Sequence, residues 1–177
     1  SSWKLLAVNV LDTNDNTPRF PQGAYWVAIP ENVVTGTTIA QLKAEDADTD
    51  DNGRVKYSLL TPTDKFAINS VTGEVTVIGA LDRELWPYYA LKIKARDQPK
   101  TGYQLFSVTD LIVTLEDVND NDPHCLPALN NVKVPEDLPV GTILLFLEAF
   151  DPDAGSGVEV RYSLVNDEEM MFHIFKL

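Results

Sequence analysis

Asp117-Val118-Asn119-Asp120-Asn121-Asp122-Pro123 is a run of acids and amides closed by a proline, and it has a near copy at Asp12-Thr13-Asn14-Asp15-Asn16-Thr17-Pro18, 105 residues earlier (117 minus 12). Working outward, other pairs keep the same offset. Pro30-Glu31-Asn32 returns as Pro135-Glu136-Asp137, and Gly36-Thr37 as Gly141-Thr142. Asp46-Ala47-Asp48 returns as Asp151-Pro152-Asp153, and Tyr57-Ser58-Leu59 as Tyr162-Ser163-Leu164. Acidic, turn and apolar markers held at one spacing indicate tandem copies of a unit about one domain long. The expected division is 1–16 as the tail of a preceding unit, 17–121 as a whole unit, and 122–177 as the first part of the next.

Between the markers the pattern is that of strands. Residues 4–11 read as a last strand stopped by the Asn/Asp/Pro cluster. Tyr25, Val27 and Ile29 alternate with Trp26 and Ala28, as a half-buried strand does. A Gly-Thr turn leads to Ile39, Ala40 and Leu42, and the acidic loop 45–53 ends in Asn52-Gly53. Val55, Tyr57 and Leu59 alternate next. Phe66 and Ile68, Thr72-Gly73, then Val75 and Val77 read as a hairpin with a glycine-containing turn. Tyr88 to Ala95 and Phe106 to Leu115 complete the unit. The pattern restarts at Val132-Lys133-Val134 and continues through Ile143, Leu145, Leu147, Val160, Tyr162 and Leu164. Short strands separated by turns, with no long amphipathic helix, predict an all-β sandwich.

Composition narrows the function. The formal net charge is −13 and the sequence pI about 4.4, which argues against nucleic acid, whose backbone requires cations opposite it. No run approaches the roughly 20 apolar residues of a membrane span. No signal peptide is seen, so the expectation is an internal piece of a longer chain with no membrane contact of its own. Cys125 is the one cysteine, and a buried or inert thiol is its expected state.

The acids gather in the repeated motifs. They offer carboxylates and carboxamides at close spacing, without a thiolate or imidazole set. Hard oxygen donors of this kind suit Ca²⁺, which takes about 6–8 oxygens in flexible geometry. Solvated Asp/Asn turns are the plain alternative for any single cluster, but repetition in register favours ligands. Lying at strand ends, the clusters are expected at the two poles of a sandwich.

Pro-Glu-Asn, Asp-Ala-Asp, Leu81-Asp82-Arg83-Glu84, Ala95-Arg96-Asp97 and Asp-Val-Asn-Asp-Asn-Asp-Pro occur in the order found in cadherin extracellular repeats. The chain resembles that family along essentially its whole length. The resemblance implies tandem immunoglobulin-like, seven-stranded Greek-key sandwiches, the first and last truncated here, with three Ca²⁺ ions at each complete junction. The motif variants resemble a long non-classical cadherin or a protocadherin.

By the same resemblance, the outermost ion near residue 120 takes Glu31, Asp82, Glu84 and Asp120. The middle ion shares Glu31, Glu84 and Asp120 and adds the Val118 carbonyl and Asp153. The innermost takes Asn119, the Asn121 carbonyl, Asp151 and Asp153. At the upstream junction, the innermost ion takes Asn14, the Asn16 carbonyl, Asp46, Asp48, the Asn52 carbonyl and Asp97, and Asp15 belongs to the same motif. Two departures stand out. Asp50 occupies a place where the family often has glycine. Gly157-Val158 replaces Asn52-Gly53, so a Gly157 carbonyl would coordinate without the Asn-Gly turn.

Trp3 precedes the Asn14 motif, so its register excludes an adhesive amino-terminal tryptophan. Trp26 is out of phase with its strand's inward set and is expected outside, while Trp86 is expected to pack locally. Asp82 and Glu84 are already assigned as ligands. With His124 and His173 they form no nucleophile–base–orienter set, so no catalytic residue and no enzyme is expected. The implied function is calcium-dependent adhesion on the extracellular side of the plasma membrane. The chain would be part of a membrane-anchored protein whose partner is another cadherin ectodomain, of the same or another kind. A non-adhesive extracellular receptor module, or a force-bearing linker, is the alternative; bead aggregation with and without Ca²⁺ separates the two.

Overall fold

The computed structural model describes residues 3–126, 132–153, 159–165 and 172–174. The chain divides into two compact units, Ser1–Glu116 and Asp117–Leu177. The described residues contain strands and turns and no helix.

Seven strands build the first unit: β1 (Ala24–Pro30), β2 (Thr38–Gln41), β3 (Lys56–Leu59), β4 (Phe66–Ile68), β5 (Glu74–Val77), β6 (Tyr88–Arg96) and β7 (Phe106–Glu116). They form one sheet in the order β1-β7-β6-β3 and another in the order β2-β5-β4. Both sheets contribute to one buried cluster, so the unit is a sandwich. Leu91, Ile93 and Ala95 of β6 and Leu111, Val113 and Leu115 of β7 meet Leu42, Phe66, Val75 and Val77 in the core. Alternation makes this arrangement: every second residue of β6 and β7 points inward, and the register sets Leu91 opposite Leu111. Burying an aliphatic side chain of this size stabilises by about 1.5–3 kcal/mol. Edge-to-face packing of Phe66 on Tyr89, at 5.1 Å between ring centroids, closes the core beside β4.

The β4–β5 hairpin turns at Gly73, whose φ is +72°. A Cβ there would lie 2.1 Å from the Leu42 carbonyl oxygen, so only glycine fits. β1 runs parallel to β7, pairing Ala24 with Asp110 through Pro30 with Glu116. Alternation did not reveal this pairing, since it assigns faces and not neighbours. It matters to the site: the Glu31 N–H continues the ladder to the Glu116 carbonyl at 3.1 Å. Glu31 is thereby fixed at the pole where β1 and β7 end.

Four strand expectations are corrected. Residues 4–11 form no strand; their apolar side chains, such as Leu5, Leu6 and Val10, are exposed. β-propensity needs a partner ladder, and no described strand offers one. Val132–Val134, Ile143–Leu147 and Val160–Leu164 likewise form no strands. The described residues there make no facing sheet against which alternate side chains could be buried.

The second unit contains β8 (His124–Leu126) and β9 (Glu148–Phe150), paired antiparallel. Their His124–Phe150 pair is the counterpart, at the 105-residue offset, of the isolated Arg19–Glu45 bridge. Turn bonds recur too: Val33 N–H to Pro30 O and Thr37 N–H to Val34 O return as Leu138 to Pro135 and Thr142 to Pro139. Gly36 and Gly141 share a positive φ, +98° and +88°. Cys125 is exposed rather than buried.

Candidate metal centres

Acidic groups collect at both poles of the first unit. One pole is where β6 ends and β7 begins. Asp97 follows β6 and is fully buried. Both of its oxygens accept the Leu105 N–H at 3.0 Å, and Oδ2 also accepts the Asn14 amide at 2.9 Å. That amide donates as well to the Tyr103 carbonyl. Asp48, also buried, accepts the Asn16 backbone N–H at 3.1 Å and its side-chain amide. The Asp48 N–H in turn donates to Asp46 Oδ1 at 3.0 Å. Hydrogen bonds thus join Asn14 to Asp97, and Asn16 through Asp48 to Asp46, and the Asp97 charge acts on Asp46.

Asn52 reaches the same loop differently. Its side-chain amide donates to Asp12 Oδ2 at 2.9 Å, and that oxygen also accepts the Thr49 N–H. Asp12 therefore ties the motif to the acidic loop, a role the sequence reading missed although Asp12 begins the repeated run. Asp15 is exposed and accepts the Asn16 amide. A Cβ at Gly53 would lie 2.0 Å from the Asp48 carbonyl oxygen, so glycine is required for this path. Asp50 has φ +52°, which accounts physically for the family's frequent glycine there.

The electrostatics of this pole call for a cation. Burial raises the Asp46 carboxyl above its ordinary 3.8; the Asp48 N–H opposes that, and the Asp48, Asp97 and Asp12 charges add to it. Among the described residues no Lys, Arg or His pairs with Asp46, Asp48 or Asp97. Two buried oxygens, Asp46 Oδ2 and Asn14 Oδ1, have no hydrogen-bond partner. Buried acceptors without donors, set among unpaired carboxylates, fit a hard cation.

At the opposite pole, Glu31, Asp82 and Glu84 place carboxylate oxygens within 4.8 Å of one another. Glu31 is buried at the end of β1 and accepts the Arg83 N–H at 2.6 Å. Asp82 Oδ1 accepts the Leu85 N–H, which fixes the turn before β6. Arg83 pairs with Glu84 at 2.8 Å. The three carboxylates are again a set able to take a cation.

The second unit repeats the first arrangement. Asp153 is buried and accepts the Asn121 backbone N–H at 3.1 Å and its amide at 2.7 Å. The Asp153 N–H donates to Asp151 Oδ1 at 3.1 Å, and Asp120 accepts the Asn121 amide. Each bond has its counterpart 105 residues earlier. Val118 is half-buried and Asn119 exposed. Gly157 lies outside the described residues.

The Cadherin domain family model matches residues 25–116. The chain is 58% identical over 174 residues to Protocadherin Fat 2 of Mus musculus, covering 98% of this chain and 4% of that protein. It is 49% identical over 177 residues to Protocadherin Fat 1 of Homo sapiens, covering 100% and 4%. The chain therefore spans about 4% of the length of these curated relatives. Among solved structures, mouse cadherin-23 EC22-24 superposes with a TM-score of 0.76 at 35% identity, covering 82% of this chain and 47% of that one. Protocadherin gamma B7 extracellular cadherin domains 1-4 give 0.73 at 33% identity, covering 82% and 35%.

Proposed function

The chain belongs to the cadherin family, and on that premise we propose that it is a calcium-binding stretch of an extracellular adhesion array. The family is one of adhesion proteins rather than enzymes. The observation that carries the calcium reading is the pair of partnerless buried oxygens, Asp46 Oδ2 and Asn14 Oδ1, among carboxylates without basic partners. The bonds that recur 105 residues later support tandem copies divided as 1–16, 17–121 and 122–177.

In this reading three ions per junction neutralise acids that otherwise repel, and fix the angle between successive repeats. Asn14, Asn16, Asp46, Asp48, Asn52 and Asp97 hold the upstream innermost ion. Glu31, Asp82, Glu84, Val118, Asn119, Asp120, Asn121, Asp151 and Asp153 hold the ions of the next junction, with Gly157 offering a carbonyl. Asp15 belongs to the upstream motif. The whole protein is anchored in the plasma membrane and meets another cadherin ectodomain. Among the described residues no helix is long and apolar enough to cross a membrane.

Calcium binds the folded junction and not the unfolded chain, so it raises stability. Thermal melting and limited proteolysis, in chelator and in about 10 mM Ca²⁺, some ten times the weakest dissociation constant typical of extracellular modules, test this. Melting temperature should rise and cleavage within residues 117–123 should slow. Identical melting and identical cleavage in the two buffers defeat the reading.

A further inference from the structure

The outer face of the four-stranded sheet differs in charge from the rest of the molecule. The chain carries 27 acidic and 14 basic residues, yet cations gather on this face at the β3 edge. Register sets Lys56 opposite Arg96, and Arg96 opposite Phe106. The next outward row is Ser58, Lys94 and Val108, and the row after it contains Lys92 and Asp110. Neighbouring strands lie roughly 4.7–4.9 Å apart and alternate residues along a strand roughly 6.4–6.8 Å apart. Lys56, Lys94 and Arg96 therefore stand close together.

These three are also uncompensated. Arg54, Lys65, Arg83, Lys92 and Lys100 each meet a carboxylate. Among the described residues Lys56, Lys94 and Arg96 meet none. Lys94 instead lies over the Phe106 ring, 4.0 Å from its centroid, and Arg96 donates to the Gln104 side-chain oxygen at 3.0 Å. Both contacts hold the cations in place without neutralising them. An open groove of about 390 Å³ is lined by all three cations and by Ser58 and Ser70. The patch is bounded on the third row, where Asp110 pairs with Lys92 at 2.8 Å.

We propose that this groove binds a sulfated polysaccharide chain through Lys56, Lys94 and Arg96. Sulfate is anionic at every accessible pH and offers several oxygens, which suits a forked guanidinium and two ammonium groups. The serine hydroxyls donate to ring or sulfate oxygens between them. Charge complementarity selects the shape of the partner as well as its sign. A single polymer chain can meet these three cations without covering the neighbouring carboxylates. A protein interface of ordinary size covers about 800 Å² per partner and would bring an acidic partner against this chain's many carboxylates. A second copy, also at net −13, is repelled for the same reason.

The full 177-residue chain in calcium buffer is titrated calorimetrically with a heparin-derived hexasaccharide. The desulfated hexasaccharide and an oligoglutamate of equal charge are tested alongside. The sulfated sugar should bind, more tightly as salt is lowered, and the desulfated one should not. Lys94→Ser should weaken binding at least threefold and the triple Lys56→Ser, Lys94→Ser, Arg96→Ser at least tenfold, with Lys94→Arg retaining it. Lys43→Ser, with the same charge change in the loop after β2, should stay within twofold. Asp110→Asn releases Lys92 and should tighten binding about twofold, a gain that loss of folding cannot produce. Absence of binding, equal losses for Lys43→Ser and Lys94→Ser, or no gain from Asp110→Asn overturns the proposal. Oligoglutamate binding as tightly as the sulfated sugar overturns it in favour of an acidic protein.

Discussion

Replacing Asp46 by Asn separates a metal ligand from a structural acceptor. Asp46 Oδ1 accepts the Asp48 N–H, whereas Oδ2 is buried and has no partner. An asparagine keeps the accepting oxygen and places an amide where the orphan was, with no protein bond lost. Without calcium the substitution also removes a charge that faces Asp48, Asp97 and Asp12. The melting temperature in chelator should therefore hold or rise. With calcium the balance reverses. For dissociation constants of roughly 10⁻⁴–10⁻³ M, about 10 mM Ca²⁺ stabilises the fold by roughly 1.4–2.7 kcal/mol. A ligand loss that weakens the site roughly tenfold removes about 1 kcal/mol of this. At about 4–8 °C per kcal/mol for a unit of this size, the calcium-induced shift should shrink by that interval. Differential scanning fluorimetry of both proteins in both buffers reads all four values. An Asp46→Asn protein that loses as much stability in chelator as in calcium shows that the orphan oxygen is not a ligand.

The same carboxyl sets a pH dependence. Its folded value lies above 3.8 because of burial, so the fold binds the proton more tightly than the unfolded chain does. Metal-free wild type should gain stability relative to Asp46→Asn as pH falls from neutral through that raised value, and calcium should flatten the difference. Gly53→Ala forces a Cβ to 2.0 Å from the Asp48 carbonyl oxygen and should destabilise by about 1–3 kcal/mol while weakening calcium binding. Gly23→Ala, where a Cβ meets nothing within 4 Å, is the control; equal melting of the two variants contradicts the packing argument. Glu84 and Asp120 are each assigned to two ions and Asp82 to one, so Glu84→Ala and Asp120→Ala should weaken calcium binding more than Asp82→Ala. Calorimetry that ranks Asp82→Ala worst rejects the assignment.

Much of the sandwich was legible because a two-residue period is a direct consequence of one face being buried. Tyr25, Val27 and Ile29, or Leu91, Ile93 and Ala95, announce both a strand and its inner face. At residues 4–11 a mostly apolar run ending at a turn cluster misled instead, because no ladder partner is described there. Residues 124–126 and 148–150 failed the other way: they are too short to show a period, and their counterpart in the first unit, the Arg19–Glu45 bridge, is visible only in the structure. At the metal centres, the motif identified the carboxylates of Asp46, Asp48 and Asp97 as candidate ligands. It could not show that two oxygens would be left without donors, since that depends on where Leu105, Tyr103 and Asp12 arrive in space. Charge pattern along the sequence also hid the basic groove. Lys56 is forty residues from Arg96, and only strand register brings them side by side.

The parallel pairing of β1 with β7 gives the first unit a mechanical character. The chain comes into β1 at Ala24 and leaves β7 at Glu116, and those residues stand at opposite ends of the same seven-rung ladder. Tension applied along the chain pulls β1 and β7 in opposite directions along their common axis. The load is therefore shared by every rung together, as in a lap joint, and does not peel one rung after another as it would at the open end of a hairpin. A unit tied this way should hold under steady traction and then yield in a single step.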